Sequence, residues 1–557
     1  MKILLIQPPI RDFYQTAIRT QPIGLAYLAA SLKSHGYEVE ILDCQTEKKR
    51  SIPIPPELSY LKDLYPFDDR SPFKLYSGYY HFGMGWDETR RKIEDSKADV
   101  FGISSSFTPY HGEALEIARI VKELDNRKVV VMGGAHVSCD PEKVLRSPLV
   151  DYVVMGEGEI RFPLLLKQIE KGENPPDIDG IGYRVNGKIR VNPIQSSIQD
   201  MDSIPHPARE MLNLDRYRIG KRRSTMIITS RGCPHGCAYC STHLIMGTSF
   251  RPRSPEAILQ EMKECRKRYG IQIFDIEDDN FTFNKDRAKR LMSLVPQTFG
   301  EENIELTAMN GISFASLDEE LLRMMKRAGF RTINLSFVSV DPSVKISMGR
   351  PAAAYDFNEI LKMTEQIGLN VIAYAILGMP GQSIEEMVDT LIYLMGKRVL
   401  IGPSIYYPIP GTPLFGRCKK KGILPSRLSQ WRSTALPIET AEFNRLDLLT
   451  LFRLVRVINF IKAKMDGKEL NEGMTWKELD QMLKDKVRAE GPVSWVKGNA
   501  GTWIDLLFLL LSERSFFSLR RDSGGNISIL KEKTSKKVLD YFFERAWEHP
   551  ILKSRNG

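Results

Sequence analysis

Three cysteines lie close together in the middle of the chain, at Cys233, Cys237 and Cys240. Three thiolates on one tight loop can hold three irons of a [4Fe–4S] cube and leave the fourth iron without a protein ligand. The amine and carboxylate of an amino-acid-like molecule can chelate that open corner. Two alternatives stay open: a structural zinc site completed by His235 or His243, and three incidental thiols.

A run of acidic residues, Glu277, Asp278 and Asp279, follows a predicted strand further along the chain. A carboxylate in this position can form charge-assisted hydrogen bonds to an ammonium group. The same residues could instead cap the N-terminus of the next helix.

The elements that must position these residues form two alternating series. In residues 1–165, strands alternate with helices, which predicts a doubly wound, Rossmann-like parallel sheet. Its predicted strands are Lys2–Ile6, Glu38–Leu42, Val100–Ser104, Val129–Met132 and Tyr152–Met155. The segment Ser51–Trp86, rich in Pro, Gly and aromatic residues, interrupts the series, and we expect an insertion over the sheet's edge or over a bound ligand. Residues 166–215 are predicted to form a hairpin, with its turn at Asn186 and Gly187, and a linker.

The second series, residues 216–422, predicts six βα units and therefore a partial (β/α)6 barrel rather than a closed eightfold one. Residues 423–557 are expected to form an α-rich region. The predicted barrel strands are Thr225–Ser230, Gln272–Ile276, Glu305–Met309, Thr332–Phe337, Val371–Leu377 and Ser404–Tyr407. The predicted helices are Pro255–Tyr269, Lys285–Val295, Asp318–Ala328, Asp356–Ile367 and Ile384–Met395.

Composition limits the class of protein. A chain of 557 residues with 42% apolar and 27% charged residues is globular, with about three domains. Its net charge of +10 suits an anionic small substrate or a membrane surface and gives no reason to expect nucleic acid. Seven cysteines, an odd number, favour a reducing cytosol. No secretory signal or membrane-spanning run is found, so we expect a soluble cytoplasmic protein, with peripheral membrane contact left open.

The stretch RGCPHGCAYC around the three cysteines resembles the signature of the radical S-adenosylmethionine (SAM) superfamily, with Tyr239 at the place of its usual aromatic residue. The resemblance implies that the cluster reduces bound SAM, that the resulting 5′-deoxyadenosyl radical takes hydrogen from a substrate, and that a one-electron carrier such as flavodoxin or ferredoxin supplies the electron. It also assigns SAM contacts: the methionyl amine to Glu277, Asp278 and Asp279, the adenine to the backbone at Ile376 and Gly378, and the ribose to Ser336, because Val338 replaces the usual Glu.

The N-terminal domain resembles the cobalamin-binding arrangement of B12-dependent radical SAM enzymes through PIGLAYLAA, GGAH and VVMGEGE, which begin at Pro22, Gly133 and Val153. No Asp-x-His-x-x-Gly motif occurs, so a histidine ligand to cobalt is not implied, and His111 and His136 are expected to form hydrogen bonds only. Ligands of open parallel sheets bind beyond the carboxyl ends of the strands. This rule and the resemblance place cobalamin against Ser104, Ser105, Ser106, Gly133, Gly134, Gly156, Glu157 and Gly158.

The resemblance implies methylation of an unreactive carbon, with the methyl group coming from methylcobalamin. Relatives that cyclise or rearrange their substrate without net methyl transfer provide one alternative. An N-terminal domain that binds no corrinoid and a non-catalytic metal-binding scaffold are two others. The sequence does not identify the substrate, and residues 423–557 are expected to determine it.

Overall fold

The computed structural model describes the whole chain except residues 15–19, 47–48, 174–176, 301, 352–354, 491–502, 526 and 554–557. The N-terminal region contains ten strands: β1 Lys2–Gln7, β2 Ile10–Asp12, β3 Glu38–Asp43, β4 Lys49–Ser51, β5 Tyr80–Phe82, β6 Val100–Ser104, β7 Val129–Gly133, β8 Tyr152–Val154, β9 Ile181–Val185 and β10 Lys188–Val191. Its helices are α1 Ile23–Ser34, α2 Trp86–Ser96, α3 His111–Leu124, α4 Ala135–Cys139, α5 Pro141–Leu145 and α6 Gly158–Lys171.

Seven of these strands form one sheet in the order β10-β9-β8-β7-β6-β1-β3. The five strands from β8 to β3 are parallel, and the hairpin β9–β10 joins β8 in antiparallel pairing. Side chains of β1 alternate between two cores: Ile3 and Leu5 pack on one face of the sheet, and Leu4 and Ile6 on the other. The doubly wound fold predicted from the sequence is therefore confirmed.

The central region contains strands β11 Arg218–Ile219, β12 Arg222–Ile227, β13 Ser230–Arg231, β14 Arg251–Pro252, β15 Ile273–Ile276, β16 Glu305–Thr307, β17 Thr332–Val338, β18 Asn370–Leu377 and β19 Leu400–Ile405. Its helices are α7 Thr242–Ile245, α8 Pro255–Tyr269, α9 Lys285–Phe299, α10 Glu319–Arg327, α11 Pro342–Ser347, α12 Phe357–Ile367, α13 Ile384–Met395 and α14 Pro413–Lys420.

Six of the central strands form the predicted partial barrel. β12, β15 and β16 pair in parallel, as do β17, β18 and β19. Single parallel bridges from Leu306 to Phe330 and from Ile312 to Leu335 join the two sets. The first strand starts three residues before its predicted position and the last four residues before it, whereas α8 and α13 have the predicted bounds.

Local signals explain the accurate helix bounds. Ser254 caps α8 by accepting from the Ala257 backbone N–H at 3.2 Å, Pro255 takes the first helical position, and Gly270 ends the helix with φ +65°. Each of these residue types predicts a helix end from the sequence alone, without knowledge of tertiary contacts.

The C-terminal region consists of α15 Arg445–Asp466, α16 Trp476–Glu490, α17 Trp503–Glu513, β20 Phe517–Arg521, β21 Ile527–Lys531 and α18 Lys536–Ala546. It is α-rich as predicted, but the hairpin β20–β21 was not expected. Among the described residues, no helix has both the length and the apolar character needed to cross a lipid bilayer.

The insertion between β4 and α2 packs differently from the prediction. Its tyrosines reach the segment that precedes α15: Tyr65 donates to the Thr434 carbonyl and Tyr60 to the Ala435 carbonyl, both at 2.7 Å. Its Arg70 backbone N–H donates to the Leu519 carbonyl of β20. The aromatic middle of the insertion thus packs against the C-terminal region, whereas its end contacts the residue after the edge strand β3 through the Met84 N–H and the Cys44 carbonyl. Its position over a bound ligand stays a prediction.

A buried ion pair fastens the C-terminal region to the start of the chain. The Arg432 guanidinium donates to Asp12 at 3.0 Å, and the hydroxyls of Tyr110 and Thr434 donate to the same carboxylate at 2.6 and 2.7 Å. Both charged side chains are less than 5% exposed. The N-terminal and C-terminal regions therefore share one buried polar centre.

Candidate functional site

The loop that carries the three cysteines follows β12 and is fixed by backbone contacts on both sides. Gly232 precedes it with φ +81°, and a Cβ atom there would lie 2.2 Å from the Ser249 carbonyl, so the turn requires glycine. Ala238 donates its backbone N–H to the Met348 carbonyl and accepts from the Leu414 N–H, both at 2.9 Å. The loop is therefore held between the end of α11 and the start of α14.

The three thiols share one environment. Cys237 is buried, and Cys233 and Cys240 are half-buried. Burial raises the pKa of Cys233, and the nearby Cys240 and Cys237 raise it further, which shows that the thiols lie within electrostatic range of one another. Among the described residues, no three His, Cys, Asp or Glu side chains converge on a point that could hold a single metal ion.

Each thiol contacts one polar side chain from a different element. The Asn280 amide lies 3.7 Å from Cys233 Sγ, and Arg350 Nη1 lies 3.9 Å from Cys237 Sγ. The Cys240 thiol donates to Thr242 Oγ1 at 3.3 Å. Arg350 also reaches the Tyr239 hydroxyl at 3.4 Å, which orients the aromatic residue beside the cysteines.

The three acidic residues after β15 have separate environments. Asp278 is buried and accepts from the Thr229 N–H and the Ser230 hydroxyl, both at 2.6 Å. Asp279 accepts from the Gly232 N–H at 2.9 Å and from the Thr242 hydroxyl at 3.0 Å. These two carboxylates brace the cysteine loop. The alternative that the run caps a helix is wrong, because Asn284 caps α9.

Glu277 alone of the three lines the large cavity described below. Burial, and then the neighbouring Asp275 carboxylate, raise the pKa of Glu277 to about 8. Asp275 itself accepts from the Thr307 hydroxyl at 2.7 Å and from the Met309 N–H at 3.1 Å. The contact of this acidic run with an ammonium group stays a prediction, and Glu277 is its best-placed member.

The residues predicted to contact ribose and adenine lie on β17, near the end of β18 and just after it. The Ser336 carbonyl accepts from Arg350 at 3.0 Å, which ties β17 to the cysteine loop. The Ile376 carbonyl accepts from the Gln382 amide at 3.0 Å. Gly378 has φ +82°, and a Cβ atom there would lie 2.9 Å from Leu448 Cδ2, so this glycine permits close packing of α15. Their nucleotide contacts stay predictions.

Val338 stands out in the same strand. It has φ +71°, a conformation that β-branched residues rarely adopt, and the pairing of β17 with β18 shifts between Ser336 and Val338. The sequence gives no signal for this bulge.

A cavity of about 410 Å³ joins the N-terminal sheet to the barrel. All eight residues that the sequence places against cobalamin line it: Ser104, Ser105, Ser106, Gly133, Gly134, Gly156, Glu157 and Gly158. Met226, Ile228 and Glu277 line it from the barrel side. The structure therefore brings the predicted cobalamin edge and one predicted SAM contact, Glu277, to one space, whereas none of the three cysteines lines it.

Sequence reasoning missed Gln21 as a lining residue. Its Oε1 atom accepts from the Met226 N–H and the Thr225 hydroxyl at 2.8 Å, whereas its Nε2 atom is buried and has no partner among the described residues. Such a donor suits the carbonyl groups at the rim of a corrinoid. The cavity fits cobalamin in three ways: glycines lie at the sheet edge, most of the lining is apolar, and the Gln21 amide offers a hydrogen-bond donor. His111 and His136 bond to Ser105 and Thr108, as expected of them.

Four buried charges connect the sheet edge to the cysteine loop. Arg231 donates to Glu157 at 2.9 Å and to Glu159 at 2.6 Å, and Arg251 donates to Glu157 at 2.8 Å. All four side chains are at most 10% exposed. Glu157, predicted to touch the cofactor, thus has a carboxylate already bound by two arginines, and its contact with cobalamin stays a prediction.

Known proteins match this chain in both halves. The radical SAM superfamily model matches residues 227–394, and the B12 binding domain model matches residues 78–166. An uncharacterised methyltransferase of Pyrococcus horikoshii is 27% identical over 85% of this chain and 95% of its own length. Cytidylyl-2-hydroxyethylphosphonate methyltransferase of Streptomyces wedmorensis is 28% identical over 78% of this chain and 84% of its own.

A solved structure has the same fold. The cobalamin-dependent S-adenosylmethionine radical enzyme OxsB, with aqua-cobalamin and S-adenosylmethionine bound, matches with a TM-score of 0.61 at 15% identity. The match covers 92% of this chain and 72% of that one.

Proposed function

We propose that this chain, an enzyme with a B12-binding domain followed by a radical SAM domain, transfers a methyl group to an unactivated carbon of a small molecule. The carrying observation is the shared cavity: residues at the carboxyl edge of the sheet and Glu277 of the barrel line one space. A methyl donor held at the sheet would then face a radical source held in the barrel. The two curated relatives, both named methyltransferases, support this reading.

The bound groups would supply the reactive chemistry: a [4Fe–4S] cluster that cleaves SAM to the 5′-deoxyadenosyl radical, and methylcobalamin that provides the methyl group. The protein binds and orients them. Cys233, Cys237 and Cys240 would hold the cluster, and Tyr239 would pack beside it. The loop is braced by Asp278 and Asp279, so the thiols keep their positions when the cluster binds.

Glu277 would receive the methionyl ammonium of SAM. Because Glu277 lies in the cavity and its raised pKa keeps it protonated in the empty site, an arriving cation would favour loss of that proton and then pair with the carboxylate. Ser336, Ile376 and Gly378 would lie along the nucleoside. The sheet-edge residues Ser104, Ser105, Ser106, Gly133, Gly134, Gly156 and Gly158 would contact cobalamin, with the Gln21 amide donating to it.

Reconstitution followed by isotope labelling tests this proposal. The anaerobic protein is loaded with iron, sulfide and hydroxocobalamin, and then incubated with a reductant and SAM that carries deuterium in its methyl group. We expect a stoichiometric corrin band, release of 5′-deoxyadenosine, and the label on the extracted corrinoid and on the product. A rearranged product without the label would contradict methyl transfer and indicate cyclisation or rearrangement. Zinc without acid-labile sulfide would indicate a scaffold.

A further inference from the structure

We infer that the exposed surface where α11 meets α14 is the docking site for an acidic, one-electron carrier protein of the flavodoxin or ferredoxin class. This inference rests on the proposed function, because it assigns the surface through which the cluster is reduced. We call this surface the basic patch. Its members are Ile346, Arg417, Lys419, Lys420 and Lys421.

The basic patch adjoins the cysteine loop through two short routes. Ala238, which lies between two of the cysteines, is hydrogen-bonded to the Met348 carbonyl and to the Leu414 N–H at 2.9 Å each. Met348 follows Ile346 at the end of α11, and Leu414 lies in the first turn of α14. With a rise of about 1.5 Å per residue, Lys420 lies ~9 Å along α14 from Leu414. The basic patch therefore adjoins the cysteine loop, which is itself exposed at Pro234 and Gly236.

The two elements also contact each other at the surface. Arg417 of α14 donates to the Ser347 carbonyl of α11 at 3.4 Å, and the Gly349 carbonyl lies 3.8 Å from Cys237 Sγ. Gly349 has φ +66°, and a Cβ atom there would lie 2.9 Å from the Gly236 carbonyl. The backbone at Gly349 thus packs directly against the backbone of the cysteine loop, and a residue with a side chain would not fit there.

The charge of the basic patch exceeds what the helix needs. Cations in the last turn of a helix each stabilise it by about 0.3–1 kcal/mol, which accounts for one or two of them. Here four consecutive or near-consecutive cations are exposed, and none forms an ion pair within the described part of the chain. Such a surface attracts an acidic partner and speeds its encounter.

Ile346 adds an exposed apolar residue to the basic patch, next to Ser347, whose carbonyl accepts from Arg417. Its side chain is 77% exposed, and that of the next large apolar residue, Leu400, is 51% exposed. Interfaces of electron carriers are small, so one exposed apolar residue beside charges is enough to form a contact that also dissociates readily. In each encounter one electron leaves the carrier and reduces the cluster, with no bond formed and no group transferred.

Charge reversal tests the inference on the reconstituted full chain. The variant Lys419→Glu/Lys420→Glu/Lys421→Glu is compared with a matched control, Lys263→Glu/Lys267→Glu/Arg327→Glu, which changes the net charge equally. The control residues are exposed on α8 and α10. Lys267 and Arg327 lie in the last turns of these helices, each of which precedes the amino end of a barrel strand, whereas the cysteine loop follows the carboxyl end of a strand. The rate of bleaching of the cluster absorbance is measured with reduced flavodoxin and, separately, with dithionite.

We expect the patch variant to be reduced by flavodoxin at least tenfold more slowly than the control at low salt, with the difference shrinking as salt screens the charges. Dithionite should reduce both proteins at the parental rate and support equal release of 5′-deoxyadenosine. Ile346→Ser should lower the flavodoxin rate severalfold at every salt concentration, because the lost contact is apolar.

Equal flavodoxin rates for the patch and control variants would overturn the inference. So would binding of the patch to anionic lipid vesicles without any change in the flavodoxin rate, because a membrane would then be its partner. A parent protein that accepts electrons from dithionite but not from flavodoxin also overturns it and leaves the proposed function standing. A parent that assembles no cluster overturns both.

Discussion

The cysteine loop and the carboxyl edge of the N-terminal sheet are the two predicted parts of the site, and they are built in different ways. The loop presents three cysteine side chains, and their spacing indicates a [4Fe–4S] cluster. The sheet edge presents mostly backbone and glycine, and its charged residues, Glu157 and Glu159, are paired with arginines at the cavity wall. Replacing a cysteine of the loop should therefore abolish the reaction, whereas replacing a glycine of the sheet edge should weaken cofactor binding.

The largest effect is expected from the loop. Cys237→Ala should lose the brown cluster absorbance and all release of 5′-deoxyadenosine, because two thiolates cannot hold the cube. The matched control is Cys265→Ala, a buried cysteine of α8 outside the loop, which should keep both. Iron and sulfide analysis with product assay measures the outcome. A cluster retained in Cys237→Ala at the parental stoichiometry contradicts the assignment of the loop.

The next largest effect tests the connection between the two parts. Arg231→Met leaves Glu159 and part of Glu157 without a partner in a buried position, which should cost about 3–5 kcal/mol. Thermal unfolding should show a clear fall in Tm, and bound cobalamin after gel filtration should fall as well. The exposed ion pair of Arg218 with Asp215 is the comparison, since Arg218→Gln should barely change either value. If both variants behave alike, the four buried charges do not position the sheet edge.

A smaller effect tests shape at the sheet edge. Gly134 has φ +110°, and a Cβ atom there would lie 2.8 Å from the Ser105 carbonyl. Gly134→Ala should therefore displace Ser105, lower the free energy of unfolding by about 1–3 kcal/mol and weaken cobalamin retention. Gly112→Ala in α3, where no atom lies within 4 Å, should be neutral or stabilising. Retention equal to the parent in Gly134→Ala would mean that close backbone approach is not required there.

The smallest effect is a pH dependence. The pKa of Glu277 is raised to about 8 in the fold, against an ordinary value of 4.5. The native state therefore holds a proton that the unfolded state has lost, and stability falls as pH rises from 4.5 to about 8. In the cofactor-free protein, Glu277→Gln should raise Tm by a few degrees more at pH 8.5 than at pH 5, because the wild-type carboxyl group loses stability over that range. A pH-independent difference would contradict the burial of this carboxylate.

Sequence patterns predicted the two αβ regions because periodicity, caps and breakers are local. Ser254, Pro255 and Gly270 mark the ends of α8 without reference to the rest of the chain. The cavity residues at the strand ends were also predictable, because parallel strands share one carboxyl edge. Gln21, the arginine partners of Glu157 and the packing of Gly378 on Leu448 were not, since each depends on segments far apart in sequence. The hairpin β20–β21 was not predicted either, because it also depends on a distant segment: the Leu519 N–H donates to Asp69, 450 positions away.

The pairing of Asp12 with Arg432 spans 420 residues. During synthesis, Asp12 and its strand β2, which pairs with β5, leave the ribosome long before the arginine that neutralises this buried aspartate. Until residue 432 emerges, that carboxylate must stay hydrated, so the surface around β2 cannot close. The side of the cavity lined by Ile10 and Tyr110 would then mature last, and truncation before residue 432 should yield an aggregation-prone chain, even though every strand of the N-terminal region is present.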